Sequence, residues 1–327
     1  MKKSLIALAV AGLVSAPAFA ATSNVDVYGV LNIAIQDTDV SGSDMTILDN
    51  TSRIGFKGSE DLGGGLKAIW QIESALGGNG GGDIGGAGAE GLGTRNTFVG
   101  LSGGFGTVLM GRHDTPYKLG TGSLDIFGDT IGDYNLGRLD GVQLINNTHD
   151  HRNGQALAYI SPTVSGFHAA VAVTMGNAGE EQDAATALIN GTGDTIDAIS
   201  ATAIYANGPL FASLSYQDAD AAAPATDTAW KLGLAYTFGD TKVGFVYEDI
   251  ESARDSMLVN VAHTMGPIVL KAQYGQVDAG AADQDAWALG VDYALSKRTA
   301  AYVVYATGDN DAGDDASGWN VGVKHSF

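Results

Sequence analysis

Four short stretches of the sequence carry residues whose types and spacing could do chemistry. Gly80, Gly82 and Gly85 match the G-x-G-x-x-G string of dinucleotide-binding loops, and residues 100–104 match the G-x-S-x-G string that presents a nucleophilic serine. The pair His149-x-His151 could chelate a transition metal, and the acidic run 309–315 resembles part of a calcium loop.

None of these stretches stands in the element that its chemistry needs. Dinucleotide binding requires a strand before the glycines and a helix after them, and a reactive serine of this type requires a strand-to-helix turn. The two glycine-containing strings stand instead in a loop and a hairpin, and 309–315 lacks the sixth-position glycine and the distal glutamate of a calcium loop. We therefore expect no catalytic residue, no metal site and no cofactor.

The elements that remain are strands with one apolar face and one small or polar face. In "AWKLGLAYTF" the apolar residues Trp230, Leu232 and Leu234 alternate with Lys231 and Gly233, and "AWALGVDYAL" repeats the scheme. Sixteen strands are predicted in this way: 25–36, 50–58, 65–75, 94–102, 106–112, 152–161, 166–175, 196–206, 209–217, 226–238, 241–250, 256–265, 267–277, 285–295, 298–307 and 318–327.

The connections between these strands alternate between short turns and long loops rich in Asp and Gly. This alternation is typical of an antiparallel meander whose two ends face different surroundings. The polar face is too small and too hydrophilic for a packed core, so the apolar face must lie outside, against lipid. The predicted fold is all-β: a 16-stranded antiparallel transmembrane β-barrel in a single domain, 21–327, closed between the first and last strands.

The N-terminal stretch "MKKSLIALAVAGLVSAPAFA" reads as a secretory signal peptide, residues 1–20, with cleavage expected after Ala20. Cleavage removes Lys2 and Lys3, so 15 basic residues face 37 acidic ones and the net charge becomes −22. This charge makes nucleic acid an unlikely partner, and the absence of cysteine excludes a disulfide framework. No later stretch approaches the roughly 20 apolar residues of a transmembrane helix, which excludes a helical membrane protein.

The longest connection, 113–151, combines acidic residues with apolar ones that could pack inside the barrel. We expect this loop to fold inward and narrow the lumen, with its carboxylates facing basic side chains of the wall. Charges about 10 Å apart would then interact by about 1.7 kcal/mol at an effective dielectric of about 20, before screening. The alternative interpretation is that the basic residues are ordinary solvated charges.

The sequence resembles the general diffusion porins of Gram-negative outer membranes over essentially the whole mature chain. The resemblance is carried by "VDVYGVLNIAIQ", "SRIGFKGSEDLGGGLKAIWQIES", "RNTFVGLSGGFGTVLMGRHDTPY" and the closing "VGVKHSF". It implies a 16-stranded barrel in a homotrimer, in contact with outer-membrane lipid and lipopolysaccharide, with the third loop folded into each pore. It further implies that Phe327 is a signal read by the barrel assembly machinery.

The resemblance also implies a constriction with two charged sides. Arg53, Arg95 and Arg138 match the family's basic side, and the acidic side of the third loop is best matched by Asp125 and Asp129. The full prediction takes Arg53, Lys57, Arg95, Arg112 and Arg138 as the basic wall and Asp125, Asp129 and Asp133 as the acidic loop. Some relatives carry a lysine where this chain has Val30, and this departure together with the net charge predicts a preference for cations.

The predicted function is passive diffusion of ions and small hydrophilic solutes, with no chemical step. A substrate-selective channel for a sugar or an anion is the nearest alternative. An outer-membrane barrel enzyme would need a Ser/His/Asp group, which the six histidines do not readily supply. A secreted solenoid adhesin would need a fixed internal repeat, and the sequence has none.

Overall fold

The computed structural model describes residues 24–40, 45–77, 92–135, 139, 142–145, 149–175, 196–219, 228–251, 253–280, 283–311 and 315–327. Most of these residues belong to one antiparallel sheet, which contains seventeen strand segments. The segments are β1 (Asn24–Thr38), β2 (Thr46–Asp49), β3 (Arg53–Gly63), β4 (Leu66–Ala75), β5 (Thr97–Gly103), β6 (Gly106–Asp114), β7 (Arg152–Ile160), β8 (Phe167–Met175), β9 (Ile196–Asn207), β10 (Leu210–Ala219), β11 (Thr228–Phe238), β12 (Thr241–Ile250), β13 (Arg254–Met265), β14 (Ile268–Asp278), β15 (Gln284–Ala294), β16 (Thr299–Asn310) and β17 (Ala316–Ser326).

Two of these segments, β2 and β3, are halves of one barrel strand, because both pair with β1. The barrel therefore has sixteen strands, and the predicted fold class is confirmed. The predicted second strand, 50–58, was wrong at its start: the chain leaves the ladder at Asn50–Ser52, where Thr51 has a φ of 65°. A β-branched residue reaches such a conformation only where its surroundings impose it.

The barrel closes between its first and last strands. β1 pairs with β17 from Val30 opposite Ser326 to Thr38 opposite Gly318. Beyond this register, Gly29 and Phe327 exchange both backbone hydrogen bonds at 3.1 Å. Closure leaves the sheet without a free edge, as a strand-built structure in lipid requires.

The two faces of the wall differ as the alternation predicts. On β11 the outward Trp230 is 47% exposed, whereas the adjacent Lys231 points into the barrel and is 0% exposed. Across the described strands the exposed large apolar side chains share the outward parity, and the inward face carries small and polar residues. The outward face is therefore suited to lipid and the inward face to water and loop packing.

A short helix, α1 (Pro116–Thr121), and a 3₁₀ turn, η1 (Gly122–Leu124), follow β6 inside the barrel. Pro116 stands in the first turn of α1, where its missing N–H costs nothing, and the Thr115 side chain caps the helix by accepting from Lys118 N at 3.2 Å. Neither the helix nor the turn has the length to cross a bilayer, and the described residues hold no other helix that does.

Candidate functional site: a charged constriction inside the barrel

The loop between β6 and β7 is anchored at its base to the wall formed by β9–β12. The buried Lys231 donates to Asp150 at 2.5 Å, and its ammonium lies 4.2 Å from the centre of the Tyr117 ring. The Tyr117 hydroxyl in turn donates to the buried Glu248 at 2.9 Å. A buried ion pair is maintained only when its remaining donors and acceptors are also satisfied, so this network fixes the loop base in one place.

From this base the loop follows the inner wall, and its apolar side chains fill gaps left by glycines of the strands. A Cβ on Gly290 would lie 2.6 Å from Phe127 Cε1, and a Cβ on Gly318 would lie 2.9 Å from Ile131 Cδ1. Both side chains are buried, as the sequence analysis expected for this loop. The small lumen-facing residues of the strands thus give the loop a surface against which to pack.

At the loop tip, Asp129 joins two separate strands of the wall. Its Oδ2 accepts from Arg53 Nη1 on β3 at 3.1 Å and from Lys324 Nζ on β17 at 3.3 Å. The structure thus brings Arg53 of the predicted basic wall together with one of the three predicted loop acids.

The loop and the wall enclose a cavity of about 470 Å³ in the middle of the barrel. Among the described residues its charged lining comprises six basic and five acidic side chains: Arg53, Arg95, Lys118, Arg152, Lys271, Lys324, Asp125, Asp129, Asp133, Asp150 and Asp292. Such a lining brings both signs of charge to one aqueous space, where they can orient a dipolar solute.

The remaining predicted basic residues lie in different surroundings. Arg95 lines the cavity but pairs with Glu73 of β4 at 2.6 Å rather than with a loop acid. Lys57 stands over the Tyr28 ring at 5.0 Å, and Arg112 donates to Thr94 O at 3.1 Å; neither lines the cavity. Arg138 lies outside the described residues.

All three predicted acids, Asp125, Asp129 and Asp133, line the cavity. Asp125 Oδ1 accepts from Phe127 N at 3.0 Å, and Asp133 accepts from the backbone of Asp129 at 2.9 Å and from that of Asn135 at 3.0 Å. The carboxylates of Asp125 and Asp133 therefore stabilise the turn of the loop through these hydrogen bonds, in addition to lining the cavity.

The carboxyl groups of Asp125 and Asp129, both at the loop tip, differ in their proton affinities. Burial and the neighbouring Asp133 raise the pKa of Asp125 well above its ordinary value. Burial alone would also raise the pKa of Asp129, but Arg53 and Lys324 outweigh it and leave the pKa below the ordinary value. Asp129 is therefore the reliably charged acid of the tip, and Asp125 holds its proton to higher pH.

Four lining cations were not predicted: Lys118, Arg152, Lys271 and Lys324. Lys118 and Arg152 both approach Asp114, at 3.7 and 3.0 Å, and Lys271 pairs with Asp292 at 2.9 Å. Strand parity could have found two of them, since Lys271 and Lys324 each stand between outward apolar residues and must point inward. No such signal exists for Lys118 or Arg152, which belong to the loop and its junction.

The stretches that could do chemistry occupy ordinary structural positions. Ser102 lies in the β5–β6 hairpin, where its hydroxyl exchanges a hydrogen bond with Thr107 at 2.9 Å. The His149 ring packs against Tyr117, and burial lowers the pKa of His151 to about 4. The glycines at 80–85 and the middle of 309–315 lie outside the described residues. Within the described ranges no group of three or more His, Cys, Asp or Glu side chains could hold a metal ion.

Many of the excess acids lie far from the constriction, on the outward face of the rim that carries the long loops. On three neighbouring strands Asp278, Asp285 and Asp309 share the parity of outward aromatic residues. The outward acids of this rim are Asp37, Asp218, Asp249, Asp255, Asp278, Asp285 and Asp309, and the outward aromatic residues below them are Tyr216, Trp230, Tyr247, Tyr274, Trp287, Tyr305 and Trp319. The net charge of the chain is therefore a poor measure of the charge along the lumen.

The family model described as Gram-negative porin matches residues 7–314 of the chain. The chain is 33% identical to the outer membrane porin protein 32 of Delftia acidovorans over the full length of both. It is 30% identical, again over both full lengths, to the major outer membrane protein P.IB of Neisseria meningitidis serogroup B.

Solved structures show the same architecture. The anion-selective porin from Comamonas acidovorans is 26% identical, with a TM-score of 0.75 over 93% of this chain and 100% of that one. The trimer form of OmpT from Vibrio cholerae, at 18% identity, shares the fold with a TM-score of 0.65 over 93% of this chain and 99% of that one. The family match covers most of the chain, and the relatives match it over their full length, so the family of the chain can be assigned. The chain belongs to the Gram-negative porin family: it is an outer-membrane diffusion channel and not an enzyme.

Proposed function

We propose that the lumen of this porin passes ions and small hydrophilic solutes through the cavity between the third loop and the wall. The single observation that carries the proposal is the loop tip, where Asp129 of the loop meets Arg53 and Lys324 of the wall beside the cavity. The loop sets a steric limit, and the paired charges around it favour solutes that can exchange their hydration for charged groups. In this proposal the constriction comprises the cavity-lining charges, including the predicted Arg53, Arg95, Asp125, Asp129 and Asp133.

The proposed assembly is a homotrimer. Its support is the fold shared with OmpT, whose trimer form is known, and the apolar outward face, part of which a trimer would cover. The rest of that face would contact outer-membrane lipid, with the aromatic residues of the long-loop rim at the level of the head groups and of lipopolysaccharide. Residues 1–20 are proposed to direct export and to be removed, which leaves 21–327 as one barrel domain.

The sequence analysis predicted a cation preference, partly from the net charge, and we restrict this preference to low salt concentration. Among the described residues, the cavity lining holds more basic than acidic side chains, and the related porin from C. acidovorans is anion-selective. Many of the excess acids lie on the outward face of the long-loop rim. They can attract cations to the pore mouth only through their long-range electrostatic field. We propose that this field produces a cation preference at low salt, which disappears as the Debye length falls from about 30 Å at 0.01 M to about 3 Å at 1 M.

Reversal potentials in planar bilayers test both parts of the proposal. The purified protein should open water-filled channels in groups of three. In a fixed tenfold gradient, the ratio of potassium to chloride permeability should be highest at about 0.01 M mean salt and approach or fall below one at about 1 M. A variant with Asp278, Asp285 and Asp309 changed to Asn should lose part of the low-salt preference.

The outcomes separate the proposals. A silent membrane would contradict the channel function itself. A constant anion preference at every salt concentration would refute the cation preference, and a constant cation preference would show that the constriction, rather than the rim, selects the ions. Saturable block of the current by one sugar or anion would favour the substrate-selective alternative.

A further inference from the structure

The break in the second barrel strand lies beside the tip of the third loop. At the break, Asn50 N still donates to Asn32 O at 2.7 Å, but Asn32 N donates to the Ser52 hydroxyl at 2.9 Å instead of to a backbone carbonyl. The Ser52 backbone N–H is taken by the Asp49 carboxylate at 3.0 Å. Side chains thus take the place of ladder bonds that the break removes and satisfy backbone groups of the irregular stretch.

A cycle of buried side-chain hydrogen bonds joins this break to β1 and β16. The Tyr302 hydroxyl donates to Asn32 Oδ1 at 2.8 Å and accepts from Asn50 Nδ2 at 2.9 Å. Asn32 Nδ2 closes the cycle by donating to Asn50 O at 3.0 Å. Asn32 and Asn50 are 0% exposed and Tyr302 is 5% exposed, so each bond is shielded from competing water.

The same asparagine also holds the loop. Asn32 Nδ2 donates to Asp129 O at 2.9 Å, and this is the contact that ties the backbone of the loop tip to β1. Asp129 has a φ of 63°, a left-handed conformation that Asp adopts more readily than most residues. The turn therefore points the Asp129 carbonyl towards Asn32 while its carboxylate reaches Arg53 and Lys324.

The position of the cycle is tied to the closing seam of the barrel. Asn32 lies directly opposite Lys324 in the β1–β17 pairing, and Val30, two residues earlier, lies opposite Arg53 in the β1–β3 pairing. Tyr302 lies opposite Gly322, where a Cβ would come within 2.4 Å of the tyrosine ring, so only glycine leaves room for the ring to cross β17. Arg53 and Lys324, which donate to the Asp129 carboxylate, therefore both lie close to Asn32, which binds the Asp129 backbone carbonyl.

We infer that Asn32, Asn50 and Tyr302 are positioning residues of the pore constriction. They hold the Asp129 backbone against the barrel seam and thereby keep its carboxylate between Arg53 and Lys324. Asn32 and Tyr302 border the cavity but are 0% and 5% exposed, so we assign their effect to Asp129 rather than to contact with a permeating ion. This inference rests on the proposed function only in that Asp129 must face the conducting lumen.

Tyr302→Phe is the sharpest test, because it deletes one hydroxyl and keeps the buried ring. Removal of the hydroxyl leaves Asn32 Oδ1 and Asn50 Nδ2 without a partner in the cycle. The variant loses both bonds of the hydroxyl. If the equivalent of one hydrogen bond of ordinary strength reaches the Asn32–Asp129 contact, the population of a displaced loop tip rises about fivefold. We expect brief partial closures in single-channel records about five times as often as in the unchanged protein, together with a shift of the reversal potential in the same direction as Asp129→Asn.

The matched control is Tyr305→Phe, on the same strand but on the outward face. It should leave both the closures and the reversal potential unchanged. Asn32→Ala removes the bonds to Asn50 O and Asp129 O together and should act more strongly. If Asn32→Ala fails to fold, Tyr302→Phe alone still tests whether the cycle positions Asp129.

A double variant distinguishes positioning from a general structural role. If Tyr302 acts through Asp129, Tyr302→Phe should produce no further shift of the reversal potential in an Asp129→Asn background. A full additional shift in that background, or a Tyr302→Phe channel indistinguishable from the unchanged protein, would overturn the inference. Both comparisons use open channels, so a silent unchanged protein would contradict the proposed function, whereas a failed comparison between conducting channels would contradict only this inference.

Discussion

Asp129 and Asp125 stand four residues apart on the same loop, yet their surroundings give the two carboxyl groups opposite proton affinities. Two cations face Asp129 and hold its pKa low, whereas Asp125 faces Asp133 and has a raised pKa. A carboxylate next to a second carboxylate in a partly dry site is disfavoured, and one next to two cations is favoured. The acidic side of the constriction therefore changes its charge with pH through Asp125 first.

This difference predicts a pH-dependent selectivity. Asp125 is protonated at low pH, and raising the pH through its elevated pKa adds one negative charge to the lumen. The ratio of cation to anion permeability should rise across this transition. A unit charge about 10 Å away contributes about 1.7 kcal/mol at a dielectric of about 20, a factor of about 18 that screening by salt in the lumen reduces to several-fold. Reversal potentials measured in a fixed salt gradient at a series of pH values give this ratio.

Two variants check the assignment of this pH dependence. Asp125→Asn should flatten the pH profile. Asp129→Asn should displace the whole profile towards anions but leave its shape, because Asp129 is already ionised in this range. A profile that keeps its slope in Asp125→Asn would assign the titration to another group of the lining.

At the scale of elements, the third loop and the inner wall are complementary surfaces. Large loop side chains stand opposite inward glycines of successive strands: Leu124 opposite Gly233, Leu144 opposite Gly275, Phe127 opposite Gly290, Val142 opposite Gly308 and Ile131 opposite Gly318. Packing of this kind depends on volume, because a buried contact at full density has no free space for an added methyl group. The glycines therefore determine how closely the loop approaches the wall and how much of the lumen stays open.

Gly290→Val tests this complementarity. The added Cβ would lie 2.6 Å from Phe127 Cε1, so the ring and the loop should move towards the pore axis. We expect a lower single-channel conductance and a loss of about 1–3 kcal/mol in stability, as is typical of an overpacked buried site. Single-channel recording and thermal unfolding in detergent measure the two effects.

The rescue variant is Gly290→Val combined with Phe127→Leu, which removes part of the opposing ring. Conductance should return towards that of the unchanged protein if the clash with Phe127 is the cause. Unchanged conductance in Gly290→Val alone would mean that the loop does not set the width of the pore at this point.

For the whole molecule, closure of the barrel joins the two ends of the described chain. Gly29 and Phe327 exchange two backbone hydrogen bonds, and a Cβ on Gly29 would lie 2.4 Å from Phe327 Cζ, so the aromatic ring covers the glycine. Phe327 is therefore part of the seam. The assembly role that the resemblance implies would belong to the same residue.

Deletion of Phe327 should lower the amount of folded barrel in the outer membrane several-fold, and the heat-modifiable band on gels measures that amount. Phe238→Ala is the matched control, since Phe238 is an exposed, outward aromatic residue at the end of β11. A deletion variant that refolds normally in detergent but is missing from the membrane would assign the loss to recognition by the assembly machinery. Equal folding yields in cells would contradict the assembly role.

The sequence by itself determined the barrel: its alternating strands, their outward and inward faces, the closing pair of strands and the loop that folds inward. These features depend on local periodicity, and a period of two fixes the face of every residue on a strand. Parity alone is sufficient to place Lys324 inside the barrel, and the apolar residues of the third loop predicted that this loop would pack there.

Only the tertiary structure decided which charges meet. Arg53 and Lys324 reach Asp129 across 76 and 195 residues of sequence, whereas Arg95 turns to Glu73 instead of the loop. Parity says whether a side chain faces the lumen, but its height and its angle around the barrel depend on the register of all the strands together. For the same reason the net charge of −22 expected for the mature chain did not reveal that the described lining carries both signs of charge, since charge adds up without regard to which face of the wall carries it.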